Sequence, residues 1–518
     1  MAEALHAALG AVSAQSSSGP NWITDPTSEP LFKTFCEAYT AADDSARTEA
    51  IHAGAAGVFV AALGAPGSFS ILAGNTLGRT CGDNAAANTA VVTAGAVPLL
   101  AALVLQTSDV ASAAAAARAM QALTSTNDTA RDSLREAGAI QPLVQLLSTA
   151  DSSAECVAAA AGALRFLARN NDSNRDALRE AGAVAQLIAL LKCDPQAEVT
   201  AHAAAALTNM AFRNSLNAEF IRKGGGIPLL VSLLRAGTEA DITKFASGAL
   251  ANLTYECEEN CEAVRADGGI PPLVALLEAA CLPGGAGVTD TTAFAVDALR
   301  NMARFSDAVR DEARHAGALP PLIAFLLLGA GHSVARGAAC CLRNLVSGNE
   351  QNKDAVRDAG GIPPLVALLQ SPPSSEACLH ACACLRNLAR GNAANRDAIR
   401  EAGAIPVFIT LLAHDSSAEV TAHAAAALAN MSFENAANQT AIRDGGGVRP
   451  LVGLIGSSAD LTAYASGALA NVANPLTRIT EKIQSACVPV AQMLCPPSSG
   501  RGSGSAGPED VVTEAPPK

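Results

Sequence analysis

Seven asparagines recur at nearly constant spacing along this chain: Asn209, Asn252, Asn301, Asn344, Asn387, Asn430 and Asn471. A primary amide carries both a donor and an acceptor, so it can pair with the N–H and the C=O of an extended peptide backbone. A row of such amides, one per structural unit, is chemistry for holding a peptide, not for transforming a substrate. Two further sets keep the same beat. Seven residues before each asparagine stand His202, Phe245, Phe294, Gly337, His380, His423 and Tyr464, and three after it stand Phe212, Tyr255, Arg304, Ser347, Arg390, Phe433 and Asn474. Six of these fourteen are Phe or Tyr in a chain with 3% aromatic residues, which marks them as candidate side-chain pockets. Arg300, Arg343 and Arg386 directly precede their asparagines, and Lys244 and Arg336 lie eight before theirs. With Arg304 and Arg390 they form a basic stripe suited to acidic or phosphorylated residues of a partner. The competing reading is structural: amides that satisfy nearby carbonyls, half-buried rings and a solvated arginine face.

The beat itself is set by glycine. Gly-Gly-Ile-Pro-Pro-Leu stands at 268–273 and again at 360–365, and variants begin at Gly95, Gly138, Gly182, Gly225, Gly317, Gly403 and Gly446. The steps are 43 or 44 residues, apart from one of 49 between Gly268 and Gly317. A fixed period of this length means stacked units that share a continuous core. Within 392–435, residues 395–402 read as a short amphipathic helix, ended by Gly403 in the left-handed conformation. Pro406 suits the first turn of a second helix running to about Leu412. A polar break at 414–417 precedes a third helix over about 419–431, whose apolar positions recur at helical spacing. On the third helix the core leucines (Leu207, Leu250, Leu299, Leu342, Leu385) stand two before the asparagine. They point about 160° away from it, so the asparagine faces out of the core. Repeats stacked at about 10 Å would offer one amide for roughly every three residues of an extended peptide. The earlier repeats break the run, with Arg79, Ala122 and Phe166 at the ladder position.

Leu385-Arg386-Asn387-Leu388, followed by Asn395-Arg396-Asp397-Ala398-Ile399-Arg400-Glu401-Ala402-Gly403, resembles the armadillo-repeat family, and the resemblance extends over roughly 31–495. It implies an all-α, right-handed α-solenoid of about ten repeats with three helices in each, holding extended segments in a concave groove through an asparagine ladder. On this reading Asn301, Asn344 and Asn387 are the firmest clamps. Residues 1–30 are expected to be a disordered extension, with a capping helix beginning near Leu31-Phe32-Lys33-Thr34-Phe35. A closing unit is expected over 479–494, and a disordered Ser/Gly/Pro-rich tail over 496–518. The extra residues around 282–288 read as an enlarged loop. The stretch 198–207 returns unchanged at 419–428, which points to duplication of a block of repeats.

Within the family, importin-α-type receptors pair the ladder with tryptophans four residues earlier. Here those positions hold Ala205, Gly248, Asp297, Cys340, Ala383, Ala426 and Gly467, and the single tryptophan is Trp22. The vacuole-associated type carries an N-terminal glycine for lipid anchoring, where this chain has Ala2. The resemblance therefore favours a cytoplasmic scaffold or adaptor, with the nucleus as a second compartment. A transport receptor and a membrane tether are the alternatives.

The bulk properties agree. Hydrophobic residues make up 50% of the chain, much of it alanine, which favours helices that approach closely. A formal net charge of −13 argues against a general nucleic-acid binder. Fourteen cysteines, mostly inside apolar helical stretches such as Cys340, Cys341, Cys382 and Cys384, read as small hydrophobes in a reducing compartment. On one helix Cys382 and Cys384 point about 200° apart, so no thiol cluster for a metal is expected. No run is long enough to span a bilayer. No nucleophile, acid and base stand at readable spacing. We expect a monomeric, non-enzymatic chain without cofactor or metal, whose partners are extended or disordered protein segments.

Overall fold

In the computed structural model, residues 2–16, 25 and 27–473 are described, apart from short stretches at 66, 106–108, 149–152, 238–239, 283–286 and 413–416. The closing unit expected over 479–494, the tail over 496–518 and the centre of the enlarged loop lie outside the described residues. The described chain is all α-helix and falls into two units, 1–371 and 372–518.

Each repeat has the expected three helices. In the repeat dissected above they are Ala393–Glu401, Ala404–Leu411 and Ala418–Ser432. The turn between the first two is made by the anchoring glycine. All ten such glycines, from Gly54 to Gly446, have φ between +71° and +104°, a conformation in which a side chain would be strained. Proline then opens the second helix at its first turns in Ile270–Cys281, Leu319–Leu326 and Ile362–Leu368.

In the first unit the third helices stack in chain order: Ser68–Thr80, Val110–Thr126, Ala154–Leu167, Glu198–Ala211, Asp241–Thr254, Asp290–Ala303 and Ser333–Leu345. In the second unit Glu376–Ala389, Ala418–Ser432 and Ala459–Val472 do the same. Their leucines, Leu207, Leu250, Leu299, Leu342 and Leu385, are buried, as their two-residue offset from the asparagines requires.

One expectation fails at the N-terminus. Residues 2–16 are a helix, Ala2–Ser16, and not a disordered extension. Leu5, Leu9 and Val12 follow one another at i, i+4 and i+7, and all three are buried against the capping helix Ser28–Ala41. That stripe is short but continuous, and burying it outweighs the small and polar residues around it. Behind it, Phe32, Phe35, Tyr39 and Phe59 form an aromatic cluster with ring centroids 5.0 to 6.4 Å apart.

Nine of the described cysteines are buried and act as apolar filler. Twelve described cysteines are free, and burial pushes the thiols of Cys36, Cys81 and Cys261 up to about 12. Among the described residues no group of three His, Cys, Asp or Glu side chains could hold a metal ion, and no single helix is long and apolar enough to cross a membrane.

Candidate peptide-binding face

The ladder asparagines have a job inside the protein. The last four carbonyls of an α-helix lack intrahelical partners. Six of the seven ladder amides donate to the first of these orphans on the preceding third helix. Asn209 Nδ2 lies 2.8 Å from Arg165 O, Asn252 2.9 Å from Thr208 O, Asn301 3.0 Å from Ala251 O and Asn344 2.9 Å from Arg300 O. In the second unit Asn430 reaches Arg386 O at 3.1 Å and Asn471 reaches Ala429 O at 3.2 Å. One N–H of each of these six amides is thereby spent on tying a repeat to its neighbour, and the tie fixes the orientation of the second.

The amide oxygens divide into two groups. Those of Asn301, Asn344 and Asn387 accept from the arginine just before them, Arg300, Arg343 and Arg386, at 3.2 to 3.4 Å. Asn301 is moreover buried, at 9% exposure. The oxygens of Asn209, Asn252, Asn430 and Asn471 accept no hydrogen bond from the described residues. Among the seven, the three residues expected to be the firmest clamps are thus the more engaged ones.

Phe212, Tyr255 and Phe433 cap the C-terminal ends of their third helices and are more than a third exposed. Arginines back two of them: Arg175 lies 5.8 Å from the Phe212 ring centroid and Arg396 6.0 Å from that of Phe433. Phe245, Phe294 and Tyr464 are half-buried. The Phe294 ring crosses Gly248 so closely that a Cβ there would stand 3.3 Å from it.

The arginine stripe is partly neutralised. Arg300 pairs with Asp297 at 3.0 Å, and Lys244 pairs with Asp290 at 2.7 Å. Arg386 donates to His423 Nδ1 at 3.0 Å, and Arg165 stands 3.5 Å from His202 Nδ1. These two pairs sit at matching positions of the duplicated block. Burial and then Arg165 lower the pKa of His202, so the neutral ring can accept the arginine. Arg304 and Arg390 are exposed.

Two other asparagine registers keep the same period and escaped the sequence reading. Asn171, Asn214, Asn349, Asn392 and Asn435, eleven before their glycines, each cap a first helix by accepting from the N–H three residues on. Asn174, Asn217, Asn260, Asn352, Asn395 and Asn438, eight before the glycine, are fully buried. Asn217 Nδ2, for example, donates to Met210 O at 3.0 Å and to Arg175 O at 3.3 Å, joining its own first helix to the helices before it. Their signal was present in the period. What separates them from the ladder is burial.

Such a stack of three-helix units, with an amide and aromatic face, defines a helical repeat protein of the solenoid class. Five stretches, 127–169, 171–212, 306–347, 349–390 and 392–433, match the family profile described as Armadillo/beta-catenin-like repeat. Among 412 matching chains of solved structures is one titled "Crystal Structure of Engineered Protein". It is 31% identical, with a TM-score of 0.68, over 85% of this chain and 98% of that one. No curated protein matches the chain. The chain belongs to the armadillo-repeat family, whose repeats serve in general to bind other proteins.

Proposed function

We propose that this chain is a non-enzymatic scaffold or adaptor that holds extended segments of partner proteins along its third-helix face through the asparagine ladder. The observation that carries this reading is the divided use of six of the seven amides. One N–H is committed to the preceding helix, which orients the other N–H and leaves both Nδ2 and, in four registers, Oδ1 able to meet a peptide backbone. Pre-orientation of this kind lowers the entropy cost of binding. Asn209, Asn252, Asn430 and Asn471 are the strongest clamps on this reading. Asn301, Asn344 and Asn387 instead support the arginines beside them. The exposed rings of Phe212, Tyr255 and Phe433 offer platforms for side chains, and Arg300, Arg343, Arg386, Arg304 and Arg390 favour acidic or phosphorylated residues in the bound segment.

Selection of extended peptides from a random library against the purified protein tests the reading, with an Asn209→Ala/Asn252→Ala variant of unchanged helicity as comparison. Peptides that bind the parent and lose at least tenfold in affinity to the variant support the ladder. Equal binding by both proteins would move the interaction to another face.

A further inference from the structure

The three registers without asparagine are not an empty end of the ladder. Arg79, Ala122 and Phe166, which stand where the amides would be, all line one open cavity of about 580 Å³. Its floor is made of small residues, among them Gly78, Gly82 and Ala159. A bridge of side chains runs at the end nearer the ladder. Gln121 lies across Gly162, where a Cβ would stand 2.5 Å from its side chain, and reaches His202 Nε2 at 3.3 Å. Glu198 accepts from the same ring nitrogen at 3.1 Å, so Gln121 abuts the ring without hydrogen-bonding to it. Beside the bridge, Arg165 lies 4.9 Å from the Phe166 ring centroid and 4.5 Å from that of Phe245. The bridge marks a boundary between this cavity and the registers that begin at Asn209.

The charges around the cavity do not cancel. Arg118 is held by Glu155 and by Asn75 Oδ1, and Glu198 by His202. Arg79 and Arg169 are exposed, and among the described residues neither guanidinium makes a hydrogen bond or ion pair. Asp83 is the single lining carboxylate in the same condition. Two open cations thus face one open anion. Arg79 lies on the helix Ser68–Thr80 and Arg169 in the turn just after Ala154–Leu167, two repeats on, about 20 Å away at the usual helix spacing. An extended chain covers that distance in roughly six residues.

We propose that this cavity is a second recognition site, distinct from the asparagine ladder. It takes a protein segment bearing two oxyanions, carboxylate or phosphate, about six residues apart, one gripped by Arg79 and the other by Arg169. Arginine suits either oxyanion because its planar fork matches both. Asp83, which lines the same cavity as Arg79, weakens binding of segments with acids at every position and so favours the spaced pair.

Fluorescence anisotropy with labelled Gly/Ser peptides tests this. The probes carry two phosphoserines three or six residues apart, two glutamates six residues apart, or no charge. The expected result is at least tenfold tighter binding of the six-residue phosphoserine probe than of the uncharged one. That gain is abolished in Arg79→Gln/Arg169→Gln and retained in Asn209→Ala/Asn252→Ala. A preference shared by the glutamate probe identifies carboxylates as sufficient, and its absence identifies phosphate. Unchanged binding in the arginine variant, equal binding of the three- and six-residue spacings, or loss in the asparagine variant would overturn the site. Both variants alter partly or fully exposed side chains, and circular dichroism of each confirms the fold. Failure here leaves the ladder reading standing, because the ladder is tested by its own variant.

Discussion

The first three third helices and the four that follow them in the same unit share a period but are joined by different means. Between the first two helices of the first set backbone meets backbone, and between the second and third the Gln121 side chain lies on Gly162. A Cβ on Gly74 would stand 2.9 Å from the carbonyl of Ala115, and one on Gly78 would stand 3.0 Å from Arg118 Cβ. In the second set an asparagine amide reaches from each helix to the orphan carbonyl of the one before. The junctions do not follow the same division. At the residue twelve before the anchoring glycine, Asp83, Thr126 and Phe305 are not left-handed, whereas Asn170, Arg213, Glu256 and Gly348 are. Close packing of glycine and alanine needs no amide tie and leaves an open charged cavity above it. The amide tie needs a side chain at the face, and that side chain is then placed to meet a partner. One period can therefore carry two surfaces.

The largest expected effect breaks the first kind of joint. Gly74→Val would force the Ser68–Thr80 and Val110–Thr126 helices apart and destabilise the protein by about 3 kcal/mol. By contrast Gly57, helical but facing open space, should tolerate Ala with a gain of about 0.5–1 kcal/mol. Thermal unfolding of both variants checks the pair, and a neutral Gly74→Val would mean that the two helices have room to move.

The next test separates asparagines of one type and one period. Asn217→Ala would leave the buried carbonyls of Met210 and Arg175 without this donor and cost about 2–3 kcal/mol, with no change in ladder-peptide affinity per folded molecule. Asn252→Ala removes one half-exposed tie, should cost about 1 kcal/mol, and should weaken peptide binding. Chemical denaturation alongside peptide titration reads both columns, and similar losses in both would erase the distinction between tie and clamp.

The smallest effect sharpens the contrast between junctions. Glu256 and Glu434 hold φ of +51° and +48°, where Gly348 and Gly391 occupy the same position of other repeats. Left-handed backbone costs a non-glycine residue about 1–2 kcal/mol, offset by the greater unfolded-state freedom of glycine. Glu256→Gly and Glu434→Gly should each raise stability by about 0.5–1 kcal/mol, read as a small upward shift of the unfolding midpoint. A decrease would show that the glutamate side chain contributes more than its strained backbone costs.

Much of the fold was legible because the rules that write it are local. A glycine that must be left-handed, a proline two or three residues on and an apolar stripe at helical spacing recur often enough to give the period, the helix count and the core leucines. The N-terminal helix was missed for the opposite reason. It occurs once, so no repetition amplified the three-residue stripe of Leu5, Leu9 and Val12. The candidate site was legible in part. The sequence placed the ladder asparagines on the outward side of their helices, but it put Asn301, Asn344 and Asn387 first without showing that their amide oxygens are engaged by the arginines beside them.

What the sequence determined by itself was register: which residue type returns at which step, and which side of a helix it occupies, since both follow from the fixed geometry of 3.6 residues per turn. Only the tertiary structure decided which asparagines are buried ties, which are caps and which keep part of their amide open. It also decided that Gln121 crosses Gly162 to His202, and that Arg79 and Arg169 stay unpaired above a shared cavity. Those facts depend on the distance between helices in different repeats, and that distance is set by side chains some forty or eighty residues apart along the chain.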